Sequence, residues 1–161
     1  MELGATAALV ARITLAAAFA FSAGTKLANR ETFARALADF GIPNSELLAK
    51  VLPVVEGIVA VALVVVRDQA WPAVLAIAVL AVFTGALIAN LVSGAPKPCP
   101  CFGAPSADAA PVSAATVARN GYLVALAVIG TTSTDGASAA ATLAAAAVTA
   151  TVTLMALRRY G

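Results

Sequence analysis

Apolar segments of about twenty residues recur along this chain, and they restrict it to one class of fold. The segments cover residues 5–27, 47–66, 70–92, 112–132 and 137–157. A helix of about 20 apolar residues crosses the hydrocarbon core of a bilayer, and only helices or closed barrels satisfy their backbone groups there. The sequence therefore predicts an all-α, polytopic transmembrane bundle that forms one integral membrane domain over residues 1–161.

Charge is scarce throughout the chain, which identifies the lipid bilayer as its solvent. Only 11% of the residues are charged, whereas soluble domains carry about 25%. The net charge is +2 and no run of basic residues occurs, which excludes nucleic acid as a partner. High alanine and valine content with few lysines is typical of a high-GC bacterial genome. We therefore expect a multi-pass protein of the bacterial plasma membrane.

The number of spans depends on how the outer segments are interpreted. Five spans are preferred, and four is the alternative, in which one alanine-rich segment packs at an angle. A cleaved signal peptide is the alternative for the first segment, because Ala-Phe-Ala at residues 18–20 resembles a cleavage site. However, Glu2 stands where signal peptides carry lysines, and Arg12 interrupts the apolar region. We therefore predict a first transmembrane helix that ends near Lys26.

A short amphipathic segment separates the first two spans. Phe33, Leu37 and Phe40 fall on one helical face, at spacings of four and three residues. The charged residues that lie away from this stripe are Arg30, Glu31, Arg35 and Asp39. The segment over residues 29–42 is too short and too charged to span, so we predict an interfacial helix on the membrane surface.

Both cysteines lie in one irregular loop, predicted over residues 93–111. Cys99 and Cys101 are separated by Pro100, and the chain contains no histidine, so the thiols are its only reactive side chains. Two neighbouring thiols can exchange electrons as a disulfide. The alternatives are a soft-metal site for an ion such as Cu(I), a fixed structural disulfide, or two inert thiols. We favour redox chemistry at this Cys-x-Cys motif and predict no resident metal.

The residues around the cysteines limit the geometry of that loop. A disulfide across Cys-x-Cys closes a small, strained ring, and strained disulfides are better oxidants. Pro98 and Pro100 stiffen the chain, and Gly103 permits a turn directly after Phe102. We therefore include Pro100, Phe102 and Gly103 in the candidate site as residues that set its shape.

A carboxylate lies about halfway along the second span. An ionised Glu56 there is costly unless it is paired, so we expect it to face the bundle. Lys26, Arg12 and Arg119 are its candidate partners, and Asn90 and Asn120 are candidates for completing a buried polar network. Two interpretations carry equal weight: a quinone or proton site beneath the cysteine loop, or an ion pair that fixes helix packing. Lys26 also has the alternative of snorkelling to the head groups.

Five features in this order resemble the MauE/DoxX family of redox-associated membrane proteins over residues 21–126. They are FSAGTKL at residues 21–27, the helix from Phe33 to Phe40, LPVVE at 52–56, CPCFG at 99–103, and Arg119-Asn120. The resemblance implies a helper in thiol–disulfide chemistry, acting with a thioredoxin-like or secreted thiol protein. The MauE type is associated with maturation of a disulfide-rich subunit of methylamine dehydrogenase.

The resemblance also implies roles for individual residues. Cys99 and Cys101 would form the redox pair, above a polar intramembrane site of Lys26, Glu56, Arg119 and Asn120. Related disulfide oxidases use two cysteine pairs, so a relay within one copy of this chain is excluded. Electrons would pass directly between the pair and a quinone or another acceptor. A non-catalytic subunit of a larger complex and a Cu(I) carrier remain as alternative functions.

Charge and chemistry favour opposite orientations in the membrane. With five spans, residues 26–50, the cysteine loop and the Arg158-Arg159 tail lie on one side, and the positive-inside rule makes that side cytoplasmic. Disulfide formation belongs to the oxidising exterior. On chemical grounds and by the family resemblance we expect an extracytoplasmic cysteine loop.

Overall fold

The computed structural model describes residues 2–93, 113–132 and 134, and α-helix is the only regular secondary structure within them. Its helices are α1 (Glu2–Ala28), α2 (Arg30–Asp39), α3 (Ser45–Val65), α4 (Trp71–Val92) and α5 (Ala114–Ile129). The predicted all-α membrane bundle is confirmed, with no strand among the described residues. The predicted fifth span at 137–157 lies outside them, so the number of spans stays a prediction.

Three of these helices are long and apolar enough to cross a membrane. They run over Leu3–Ala28, Ser45–Val65 and Trp71–Val92. Helix α5 is apolar but has only 16 residues, which corresponds to about 24 Å at 1.5 Å per residue. The helix has fewer residues than the segment predicted at 112–132. Its length is also less than the thickness of a hydrocarbon core, which is about 30 Å.

The short helix α2 has the amphipathic character predicted from its sequence. Phe33 is buried, Leu37 and Phe40 are half-buried, and the charged side chains are exposed. Helix α2 packs on α3. Its position at the membrane surface stays a prediction.

A Schellman motif ends α2 and reverses the chain. The Ile42 N–H donates to the Leu37 carbonyl at 3.1 Å, and the Gly41 N–H donates to the Ala38 carbonyl at 2.8 Å. Gly41 has φ of +74°, in the left-handed region that glycine enters without a steric cost. Pro43 follows and prevents the helix from continuing, so the chain is redirected into α3.

The four longer helices alternate in direction, which gives the bundle two distinct ends. Helix α1 packs mainly on α3, and α4 packs mainly on α5. We call the end at residues 66–70 and 130–134 the Arg12 end. The opposite end, which we call the Lys26 end, carries α2, the last residues of α4 and the first residues of α5. The segment 94–112 therefore connects two points at the Lys26 end.

The core between the helices is made of leucines and alanines. Leu15, Val59, Leu63 and Leu80 form one cluster with several small residues. The alanines of that cluster are Ala16, Ala60, Ala73, Ala76 and Ala127. Small side chains let membrane helices approach closely. The resulting van der Waals contacts stabilise the bundle, because lipid provides no hydrophobic driving force between helices.

Candidate functional site

A buried ion pair between α1 and α3 forms the centre of the candidate site. Glu56 is 1% exposed and Lys26 is 3% exposed, and Lys26 Nζ contacts Glu56 Oε1. Glu56 therefore faces the bundle as expected, and Lys26 is its partner among the three cations considered. The snorkelling alternative is wrong for Lys26, because its ammonium turns inward. Pairing is necessary, since a lone charge at this depth costs several kcal/mol.

Ser22 holds both members of the pair. It lies one helical turn before Lys26 on α1, so the two side chains share a face. Lys26 Nζ donates to Ser22 Oγ at 2.9 Å, and Ser22 Oγ donates to Glu56 Oε1 at 3.2 Å. Each of the three side chains thus touches the other two, and this triangle fixes the rotamers of all three.

Two aromatic rings enclose the ammonium group on its other sides. Lys26 Nζ lies 4.6 Å from the ring centre of Phe83 on α4 and 5.3 Å from that of Phe33 on α2. A cation over a ring face is attracted to its quadrupole, more strongly when water is excluded. Through Phe33, helix α2 covers the ion pair from the Lys26 end.

Asn120 on α5 brings a fourth polar group to the same region. It is 3% exposed, and its Nδ2 donates to Thr84 Oγ1 at 3.2 Å. Thr84 Oγ1 in turn donates to the Leu80 carbonyl at 2.7 Å. Asn90 on α4 is buried as well. Several polar side chains are therefore buried in this region, and the Asn120 amide bonds to Thr84.

A small cavity lies between these groups. Measured for the centre of a water molecule, its volume is about 20 Å³. Ser22, Lys26, Glu56 and Asn120 contribute polar atoms to its wall, and leucine and phenylalanine side chains complete it. The wall is thus mainly apolar with a few convergent polar groups.

The structure brings together only some of the predicted site residues. Lys26, Glu56 and Asn120 line one cavity, whereas Arg119 is exposed on α5. Residues 99–103, with both cysteines and the predicted shape-setting Pro100, Phe102 and Gly103, lie outside the described residues. In the part of the chain that is described, no three His, Cys, Asp or Glu side chains gather as a metal site would require.

Arg12 has a role that the sequence did not reveal. It is 1% exposed, and its guanidinium donates to the carbonyls of Val66, Gln69 and Gly130, the last through Nε at 2.7 Å. Val66 and Gly130 are the C-caps of α3 and α5, where carbonyls lack partners and the helix dipole favours a cation. Arg12 therefore ties three elements together at the end of the bundle opposite Lys26.

Comparison with known proteins identifies the family. The family model described as "Methylamine utilisation protein MauE" matches residues 4–133. A curated relative from Paracoccus denitrificans, "Methylamine utilization protein MauE", is 42% identical over 120 residues, covering 72% of this chain and 63% of the relative. No solved structure matches the chain significantly. Since the family model covers most of the sequence and all described helices, this multi-pass membrane protein belongs to the MauE family.

Proposed function

We propose that this protein is a membrane thiol–disulfide redox protein that uses Cys99 and Cys101 to exchange electrons with a thioredoxin-like or secreted partner. One observation carries the proposal. The two cysteines lie in the segment between α4 and α5, and both of those helices meet that segment at the Lys26 end. The buried polar site of Lys26, Glu56 and Asn120 faces the same end, which supports a joint role.

The proposed reaction moves two electrons in two exchange steps. A thiolate of the partner attacks one sulfur of the Cys99–Cys101 disulfide, which breaks the S–S bond and forms a mixed disulfide. The partner's second thiolate then attacks the partner's sulfur in that mixed disulfide, which releases the cysteine of this chain. The partner leaves with a disulfide, and Cys99 and Cys101 leave as two thiols. The Cys99–Cys101 dithiol then passes two electrons and two protons to a membrane quinone, which becomes a quinol. Alternatively, it passes them to a second protein disulfide, which becomes a dithiol.

The printed name of the Paracoccus relative ties that protein to methylamine utilisation. For the present chain we propose an accessory role of the same kind, in the maturation of an exported protein that contains disulfides. Its substrate would be a protein thiol and not a small amine, because a thiol pair reacts with thiols. On this proposal the cysteine segment faces the exterior, where the redox environment is oxidising.

Thiol trapping in intact cells tests the proposal. A membrane-impermeant maleimide should label wild-type protein only after prior reduction, which would indicate a reversible disulfide exposed outside the membrane. Cys99→Ser and Cys101→Ser serve as matched variants, and one of them should accumulate a mixed disulfide with the partner. Labelling that requires cell lysis would contradict the external location. A pair that keeps one redox state under all conditions would favour a non-catalytic subunit.

A second assay separates the metal alternative. Stoichiometric binding of Cu(I) to the purified chain, lost in both serine variants, would favour a soft-metal carrier because thiolates select soft ions. Weak Cu(I) binding together with reversible oxidation of the pair would favour the redox protein.

A further inference from the structure

One carboxylate oxygen of the buried ion pair has no donor. Glu56 Oε1 receives hydrogen bonds from Lys26 and Ser22. Glu56 Oε2 is fully buried and finds no hydrogen-bond partner among the described residues. Buried polar atoms are nearly always satisfied, by protein or by ordered water. Since no described residue supplies a donor, Oε2 is open to a hydrogen bond from a small donor such as water.

The adjoining cavity has room for a water molecule as that donor. About 10–15 Å³ of space filled by a water-sized sphere is enough for one water. The cavity beside Glu56 offers about 20 Å³ to the centre of a water molecule, so at least one water fits there. Its polar wall of Ser22, Lys26, Glu56 and Asn120 can supply the two to four partners that a buried water needs.

Lys26 is the charged group that faces Glu56 from the described helices. Arg12 lies at the other end of α1, α4 contains no charged residue, and Arg119 of α5 is exposed. The charged residues of α2 are all exposed, namely Arg30, Glu31, Arg35 and Asp39. Counting the described residues, the site is therefore neutral whether the proton is on Lys26, as an ion pair, or on Glu56, as two uncharged groups. Neither form leaves a net charge in the apolar core.

We propose that Lys26, Glu56 and one water molecule in this cavity form a buried proton-exchange site. The Lys26 Nζ–H bond breaks as a Glu56 Oε1–H bond forms, and no net charge is created. The water gives one of its protons to Oε2 as it accepts the proton on Oε1, so the water and the carboxyl group are both regenerated and one proton has been exchanged for another. Only the use of the site rests on the proposed function: oxidation of the Cys99–Cys101 dithiol releases two protons, and reduction takes up two.

Infrared spectroscopy of the full chain in lipid nanodiscs tests this directly. We expect a C=O stretching band of a protonated carboxyl group that shifts when H₂O is replaced by D₂O. The band should be lost in Glu56→Gln and should grow in Lys26→Met, where an unpaired carboxylate must take up a proton to stay buried. Labelling glutamate with ¹³C in the wild-type chain assigns the band to a glutamate even if a variant fails to fold.

A matched pair of variants tests the water itself. Ala18 lines the cavity, so Ala18→Val should fill it and slow the D₂O shift of the band while all polar groups remain. Ala20 is exposed on the same helix, and Ala20→Val should exchange as the wild type does. Equal exchange rates in the two variants would overturn the role of the water. A Glu56 that stays ionised at every pH would overturn the site as a whole.

The same measurement in a Cys99→Ser/Cys101→Ser chain keeps the two proposals apart. The carboxyl band should persist there, because the proton-exchange site does not include the thiols. Loss of thiol exchange with the band retained would overturn the redox function alone. Loss of the band with thiol exchange retained would overturn the proton site alone.

Discussion

Arg12 keeps its charge inside an apolar bundle by means of backbone oxygens. Three carbonyls surround the guanidinium, and two of them are helix C-caps. Hydrogen bonds to charged groups are stronger than neutral ones, and truncation leaves buried acceptors without donors. At the scale of the residue, this side chain therefore does more for stability than its single charge indicates.

Replacing Arg12 by methionine should be strongly destabilising. We expect Arg12→Met to lower the free energy of unfolding by about 3 kcal/mol, since several buried carbonyls lose a charged donor. The exposed Arg35 gives the control, because Arg35→Met should change stability by about 0.5 kcal/mol or less. Reversible unfolding in detergent measures both. Equal losses in the two variants would show that Arg12 acts only as a surface charge.

The ion pair of Lys26 and Glu56 should be strongly coupled. Lys26→Met leaves a carboxylate unpaired in the core, so we expect a loss of about 3–5 kcal/mol. The double variant Lys26→Met/Glu56→Leu removes both charges and should recover part of that loss. Unfolding of all four proteins in a double-mutant cycle yields the coupling energy. Lys50→Met, at an exposed lysine of α3, is the control, and additive losses at 26 and 56 would contradict the coupling.

At the scale of the helices, the turn that ends α2 depends on one glycine. Gly41 has φ of +74°, so Gly41→Ala should lower stability by about 1 kcal/mol through backbone strain alone. Gly57 lies inside α3, and a methyl group there would meet nothing within 4 Å. Gly57→Ala should therefore be neutral or stabilise the helix by about 0.5–1 kcal/mol. Thermal unfolding distinguishes the two, and equal effects would argue against strain at Gly41.

The helices themselves were largely predictable because the bilayer sets their length. The segments predicted at 5–27, 47–66 and 70–92 agree with α1, α3 and α4 within a few residues at each end. The partner of Glu56 was not predictable, since three cations were available and only inter-helix register selects one. The role of Arg12 was hidden for a different reason: its partners are backbone carbonyls, which every residue has.

Smaller parts of the site escaped the sequence as well. Ser22 is a small polar residue in an apolar run, and only its spacing of four from Lys26 hinted that both face one partner. Phe33 was predicted as part of an apolar stripe that contacts the membrane or the bundle. The structure shows that its ring also covers the Lys26 ammonium. This contact depends on the turns that place α2 against α3.

At the scale of the whole molecule, the alternating helices determine which segments share a side of the membrane. Helix α2 and the two points joined by the cysteine segment lie at the Lys26 end, and the turn over residues 66–70 lies at the other. In a chain with Cys99→Ser and Cys101→Ser, we expect Ala38→Cys and Asp68→Cys to react with an impermeant maleimide from opposite sides. In the wild-type chain, the native Cys99 should be labelled from the same side as Ala38→Cys is in this variant. Labelling of both new cysteines from one side would contradict the topology.

The position of Arg12 also has a consequence for biosynthesis. A ribosome makes the chain from its N-terminus, so Arg12 is translated 54 residues before Val66 and 118 residues before Gly130. The carbonyl of Gly130 is therefore made long after the guanidinium that it accepts from. An arginine without partners favours the water-facing edge of a bilayer over its interior. The Arg12 contacts are thus completed only when α5 has been delivered, so we expect the packing of α1 to be completed late in assembly.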